Sequence, residues 1–345
     1  MRRFCICSII IIFIAGHVQA ESYYIPKDYG SDSLYDPFGN FLSYSLDTLQ
    51  VPASFGTSNF NNNLDEVLSN LSHPKRAINN EGGFNRFINR QIFPVDSEHS
   101  NDSWAILPNY GLHLLGGGMV FRKDLEYFRA HNIENASPYA ITLAMTAELI
   151  QEVFEYKMTL QDDAVADFYL FRPLGIWLFS DDDFANYVME TLDPAIWPYL
   201  QAFDFSEDRF INTGISYMYR PPATEFFNSR LFIFTGLNNQ IGLSHRIDKT
   251  DWLSWGVGLS TQRIDFSLSR QAELDTSFGL FYDRNKSLLW SLVFNDAGGT
   301  DYRFNLFPTN KNLPGKFGYF ISHDDHQNLS LGILYRIQLG VGFTK

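Results

Sequence analysis

Residues 329–343, LSLGILYRIQLGVGF, carry the pattern on which the fold turns. Leu329, Leu331, Ile333, Tyr335, Ile337, Leu339, Val341 and Phe343 alternate with Ser330, Gly332, Leu334, Arg336, Gln338, Gly340 and Gly342, and only Leu334 breaks the small or polar set. Alternation of this kind sends successive side chains to opposite faces of a strand. A strand in a soluble sheet usually runs to about 5–6 residues. The pattern predicts one strand over 329–343, of the length that a tilted strand needs to cross a bilayer.

The same period recurs upstream. Ile211, Thr213, Ile215, Tyr217 and Tyr219 share one face, and Leu253, Trp255, Val257 and Leu259 alternate with Ser254, Gly256, Gly258 and Ser260. Phe278, Leu280 and Tyr282, then Leu288, Trp290, Leu292 and Phe294, then Tyr302, Phe304 and Leu306, then Phe317, Tyr319 and Ile321 continue it. Turn-forming pairs such as Pro221-Pro222, Asn238-Asn239, Asp248-Lys249, Asn285-Lys286 and Asp324-Asp325 separate the runs. Strands are expected over 210–220, 230–237, 240–247, 252–261, 263–270, 276–283, 287–295, 301–307, 316–322 and 329–343. That gives about ten, an even number as in single-chain bacterial barrels.

Alternation serves a β-sandwich as well, with the large side chains turned inward. Three features favour a barrel. The strands follow one another with no helix between them, the small face is built of Gly and Ser with a few Arg, Asn and Gln, and the chain finishes on a strand. That finish resembles the assembly signal of outer-membrane barrels through Gln338, Gly340, Val341 and Phe343, although Thr344-Lys345 follow the aromatic residue. The expected fold class is α+β: a C-terminal antiparallel up-and-down transmembrane β-barrel of about ten strands over 209–345, preceded by a helical segment. A sandwich or another periplasmic β-fold is the alternative.

At the other end, Arg2 and Arg3 precede the apolar run from Phe4 to Gly16, and Val18-Gln19-Ala20 has the small-residue form of a cleavage site. Residues 1–20 therefore read as a signal peptide cleaved after Ala20. Both cysteines, Cys5 and Cys7, leave with it, so disulfides and thiolate chemistry are excluded from the mature chain. The net charge of −13 becomes more negative when Arg2 and Arg3 go, which argues against nucleic acid as a partner. The 32 Phe and 18 Tyr suit interfacial aromatic girdles. The expected location is the outer membrane, with outer-membrane lipid as the standing partner and the barrel assembly machinery as a partner during biogenesis.

Residues 21–102 are polar and turn-rich, and one short helix is expected over Asp65 to Ser72. Residues 103–205 read as helical. Ser137-Pro138 is expected to open a helix reaching Lys157, Thr159 to cap the next with Asp162 at its third position, Pro173 to kink or end it, and Asp181-Asp182-Asp183 to open a further short helix.

This helical zone holds the residues with chemical potential. His113 sits between Leu112 and Leu114, just before Gly116-Gly117-Gly118, and Glu148, Glu152 and Glu155 share one helix face. An antiparallel helix pair would bring Glu148 or Glu152 towards His113 and Asp167. His113, Glu148, Glu152 and Asp167 are the candidate catalytic residues, and His113, Glu148 and Glu152 the candidate metal ligands, because imidazole and carboxylates serve both acid–base chemistry and divalent cations. A polar seam joining helices, with the carboxylates paired to Arg122, Arg129, Lys157 or Arg172, fits the same residues. Glu155 reads as solvated and Asp162 as a cap. The glycine triplet calls for close helix–helix or helix–barrel approach, and Asp181-Asp182-Asp183 lacks the spaced ligands of a calcium loop. HExxH, CxxC, P-loop and GxSxG motifs are absent, so no cofactor is expected beyond a divalent metal at the candidate cluster.

The arrangement resembles a Gram-negative envelope family in which a His-containing helix, a Glu-containing helix and an Asp-containing helix with Pro-x-Gly precede an outer-membrane β-barrel. The matching residues are His113 with Gly116-Gly117, Glu148 with Glu152, and Asp167 with Pro173-Leu174-Gly175, over roughly residues 109–180. The resemblance implies a layout and no reaction. Three functions remain open: an outer-membrane barrel with a helical accessory domain in a structural or interaction role, an outer-membrane enzyme acting on lipid or acyl substrates through the His/carboxylate cluster, and a passive pore, which so few strands would make narrow.

Overall fold

The structure, a computed structural model, describes residues 22–51, 59–94, 106–156, 159–265, 271–308 and 316–345. The signal-peptide reading of residues 1–20 lies outside these residues. The chain is α+β, helices first and strands after. Among the described residues no helix is long and apolar enough to cross a membrane.

The helices are α1 (Pro37–Ser45), α2 (Phe60–Ser72), α3 (Pro74–Asn80), α4 (Phe84–Phe87), α5 (Gly117–Ala130), α6 (Ala136–Glu155), α7 (Asp163–Ala166), α8 (Arg172–Ser180) and α9 (Asp182–Leu192). Wider π-helical turns cover Ile88–Ile92, Ile106–Gly116 and Asp167–Phe171. Residues 21–102 are thus more helical than their polar composition suggested. Asp36 caps α1 by accepting from the Gly39 N–H at 2.7 Å, with Pro37 at the first helical position. The expected helix at Asp65 to Ser72 is the second half of α2.

Three local expectations are corrected. α6 starts at Ala136 behind a left-handed Asn135, so Ser137 is no cap and Pro138 sits inside the first turn, where a missing N–H costs nothing. Asp162 caps nothing; it is buried in an ion pair with Arg90, which the sequence places 72 residues away. Pro173 neither kinks nor stops the chain, because it falls in the first turn of α8, directly after the wide turn Asp167–Phe171. Asp181 does initiate α9, accepting from the Phe184 N–H at 2.8 Å.

All strands belong to one sheet: β1 (Ala195–Pro198), β2 (Ala202–Asp204), β3 (Arg209–Ile211), β4 (Ile215–Tyr219), β5 (Ser229–Thr235), β6 (Asn238–Arg246), β7 (Asp251–Asp265), β8 (Gln271–Arg284), β9 (Ser287–Asp296), β10 (Thr300–Leu306), β11 (Phe317–Asp324), β12 (Leu329–Tyr335) and β13 (Gly340–Thr344). The order is β1-β4-β5-β6-β7-β8-β9-β10-β11-β12-β13-β2-β3. Every pair is antiparallel except β13 with β2. The sheet therefore departs from a ten-stranded up-and-down barrel: among the described residues it has thirteen strands, one parallel pairing, and two ends, β1 and β3, that do not pair with each other.

The differences have physical causes. The stretch 329–343 is two strands, not one. Residues 336–339 reverse the chain, with Arg336 at φ +66°, and Leu331 pairs with Phe343. Five residues, 335–339, separate the last pair, Leu334 with Gly340, so partners across the hairpin keep the same parity, the period of two passes through unbroken and the reversal leaves no mark on the pattern. The expected strands 252–261 and 263–270 are one strand, β7, carrying a register shift between Thr261 and Arg263, while residues 266–270 lie outside the described residues. β1 and β2 fall inside the zone expected to be helical, being too short to show a period. They face β4 and β3 in one continuous hairpin register, from Ala195↔Met218 to Asp204↔Arg209. That hairpin has β5 on one flank and β13 on the other.

The two faces of the sheet differ in kind. On one face Ser244, Ser254, Ser260, Ser291, Asn305 and Arg303 are buried, together with a cluster of Trp197, Met218, Phe232, Phe234, Phe281 and Val293. On the other, Ile241, Val257, Leu331 and Phe343 are 57%, 48%, 45% and 61% exposed. The helices cover only part of that second face, where Ile196, Ile215, Tyr217 and Tyr219 join the core of α5, α6, α8 and α9.

Candidate functional site

His113 stands on the π-helical segment Ile106–Gly116, Glu148 and Glu152 on α6, and Asp167 at the start of the π-helical turn Asp167–Phe171. All four are buried. Wide turns of this type recur at functional sites, and here two of them supply two of the four residues. The structure brings the whole quartet together. His113 Nδ1 donates to Glu148 Oε1 at 2.7 Å, and His113 Nε2 lies 3.8 Å from Asp167 Oδ2. Burial and the Asp167 carboxylate act together on Glu152.

Two residues beyond the candidate four complete the cluster. Tyr44, at the end of α1, donates its hydroxyl to Glu148 Oε2 at 2.9 Å. Arg172 lies 3.7 Å from the same oxygen, donates from Nε to the Ala144 carbonyl at 3.2 Å, and stacks its guanidinium 4.5 Å from the Tyr44 ring. Arg172 was one of four basic residues considered as partners. Arg122 and Arg129 turn instead to Asp182, and Lys157 lies outside the described residues. No sequence signal marks Tyr44, which stands 104 residues from its partner.

The glycine triplet is explained by packing, and no phosphate loop is built on it. A Cβ at Gly116 would strike the Tyr217 ring at 2.5 Å, one at Gly117 would overlap the Arg172 guanidinium, and one at Gly118 would overlap the Phe179 ring. Gly175 of the Pro-x-Gly element faces back, with a Cβ position 2.5 Å from the Leu114 carbonyl oxygen and 3.4 Å from the Gly118 nitrogen. Helices α5 and α8 cross with backbone against backbone at this point, which only small residues permit.

The electrostatics follow from burial. For His113, burial alone favours the neutral ring, but the Asp167 and Glu148 carboxylates outweigh it and raise its pKa to about 10. Burial pushes Glu148 up, yet His113, Arg172 and the Tyr44 hydroxyl together hold it below the ordinary carboxylate range. Glu152 is raised well above that range by burial and then by Asp167, and Asp167 is raised by burial despite His113. Glu155, expected on a solvated face, is half-buried and pushed up to about 8. The His113–Glu148 contact is that of an imidazolium–carboxylate pair, and burial favours the protonated forms of Glu152 and Asp167 beside it.

Chemically this is a proton-rich buried network. A protonated His113 is a donor and no general base. Neither oxygen of Glu152 and neither terminal nitrogen of Arg172 has a hydrogen-bond partner. Among the described residues no group of three or more His, Cys, Asp or Glu is arranged to hold a metal ion, so the three proposed ligands meet without forming a coordination set.

Comparison with protein-family models, with curated proteins and with solved structures returned no match.

Proposed function

We propose that this chain is an exported outer-membrane protein whose sheet is wrapped into a membrane-embedded β-barrel, with the helical region as an accessory domain in a structural or interaction role. One observation carries the reading: the uncovered face of the sheet bears rows of large apolar side chains, while the covered face buries its Ser, Asn and Arg side chains around an aromatic cluster. A soluble sheet does the reverse, and exposed apolar rows on this scale mark contact with lipid or protein.

The seam supports wrapping. The hairpin built from β1–β2 and β3–β4 meets β5 on one side and β13 on the other, so treating each of its legs as one interrupted strand leaves no free edge. One parallel pair is what an odd number of alternating strands requires at closure. The aromatic cluster of Trp197, Phe232, Phe234 and Phe281 fills the covered face, which favours a packed interior over a channel. The convergence of His113, Glu148 and Asp167 supports the resemblance to the envelope family, and the ion pairs that tie His113, Glu148 and Arg172 across helices support a buried polar seam.

The reading entails removal of residues 1–20, residence in outer-membrane lipid, delivery by the barrel assembly machinery and no nucleic-acid partner. Membrane fractionation tests it. The protein should stay in the outer-membrane pellet through an alkaline carbonate wash and migrate faster on a gel when unheated. Release by the wash with unchanged migration would refute it.

A further inference from the structure

The helical segment Ile106–Gly116 does not lie flat on the sheet. Between its Leu107, Gly111 and Leu115 and the sheet residues Ile233, Ile241 and Val257 runs an open groove of about 610 Å³. That volume falls in the range of small-ligand sites.

We infer that this groove holds one acyl chain of a membrane lipid. The inference rests on the membrane reading above, since Ile241 and Val257 belong at once to the groove wall and to the uncovered apolar face. A chain lying against that face can slide into the groove without crossing water. Most polar groups at its edge are engaged within the chain, the Tyr219 hydroxyl and Gln240 Oε1 being without a partner. Thr235 donates to Asn239 Oδ1 at 2.7 Å, Asn239 donates to the Gly236 carbonyl at 3.1 Å, and Gln240 turns to the other face to donate to Ser277 at 2.7 Å. No charged residue lines the groove, so a charged head group finds no counter-charge inside it and the occupant is hydrocarbon.

Gly111 gives the groove its depth. Its missing side chain leaves an opening where a Cβ would meet only the mobile end of Leu107, at 3.1 Å. Gly116 and Gly117, further along the chain, abut a ring and a guanidinium, whereas Gly111 abuts only that flexible side chain. The wall behind it carries His113, whose side chain points away into the buried cluster. The groove and the cluster thus share one helix and use opposite sides of it.

The test uses the intact protein in detergent micelles with a long-chain fatty acid bearing a mid-chain diazirine, followed by peptide mapping of photolabelled sites. Labelling of residues 107–115 and of β6 should saturate as the probe is titrated, while labelling of β12 rises without saturation as bulk contact. Gly111→Trp should lower the saturable labelling about tenfold, the cost of excluding roughly two chain methylenes, and leave β12 unchanged. Val257→Thr, which keeps shape and adds a hydroxyl, should lower it in the same direction without risk to folding. Labelling of the groove that never saturates, or that ignores both substitutions, would overturn the inference while leaving the membrane reading intact. Absence of labelling on β12 would instead count against the membrane reading, and absence at both places against both.

Discussion

His113 Nδ1 lies 2.7 Å from the carboxylate of Glu148, with both side chains buried and the two residues 35 positions apart in the chain. Breaking such a pair leaves one charge stranded in a medium that cannot solvate it. Glu148→Gln should therefore destabilise the helical region by about 3–5 kcal/mol, read from thermal unfolding of the helical circular-dichroism signal in detergent. The double substitution His113→Leu with Glu148→Leu should recover the part of the loss that comes from the stranded imidazolium, while Arg172 still lacks its carboxylate partner. A double variant less stable than either single one would contradict the account.

Stability of this region should fall as pH rises from mildly acidic to alkaline. The folded-state pKa of His113 is raised from 6.5 to about 10, so its contribution is complete below pH 6.5 and lost on the way to pH 10. Glu155, raised from 4.5 to about 8, acts in the same sense between those values, and so do Glu152 and Asp167, which burial also raises. Glu148, whose pKa is lowered, acts oppositely and withdraws its contribution only in acid. The melting temperature should peak on the acid side of neutrality. Glu152→Gln, which mimics the protonated side chain, should raise it at alkaline pH and leave it unchanged in acid. An increase in stability with pH would rule out the proton-rich cluster.

Gly175→Ala should be costly and Gly111→Ala tolerated. The first places a methyl 2.5 Å from a backbone oxygen across the α5–α8 crossing, where neither partner can yield. Overpacking of this kind costs about 1–3 kcal/mol. The second meets only the end of the Leu107 side chain at 3.1 Å. Equal melting temperatures for the two variants would show that the crossing is not tight.

Much of the site was legible because two signals are local: the helical spacing of Glu148 and Glu152, and a glycine triplet that needed a partner. Tyr44 and Arg90 were not, since their partners lie 104 and 72 residues away and nothing in their neighbourhoods announces it. In the sheet, the faces were readable, and so were the reversals at Asp248-Lys249, Asn285-Lys286 and Asp324-Asp325. The reversal inside 329–343 was not, because the alternation there runs through a turn whose paired residues keep the same parity. β1 and β2 escaped because AIWP and AFD are too short to display any period.

That turn provides its own test. Inserting one residue between Arg336 and Leu339 should move every side chain of β13 to the opposite face and abolish assembly into the membrane fraction, whereas inserting two should be tolerated. The measurement is the yield of heat-modifiable protein. Equal tolerance of both insertions would show that β12 and β13 are not a registered hairpin.

The most direct test of the central claim uses the chain's own lack of thiols beyond Cys5 and Cys7. Single cysteines placed in turn at positions 330–333 and 341–343, each carrying a fluorophore, are exposed to lipids with quenching groups on their acyl chains. The account predicts quenching with a period of two: strong at positions 331, 333, 341 and 343, weak at 330, 332 and 342. Uniform quenching, or labels at 331 and 343 that respond to an aqueous quencher and ignore the lipid one, would contradict it.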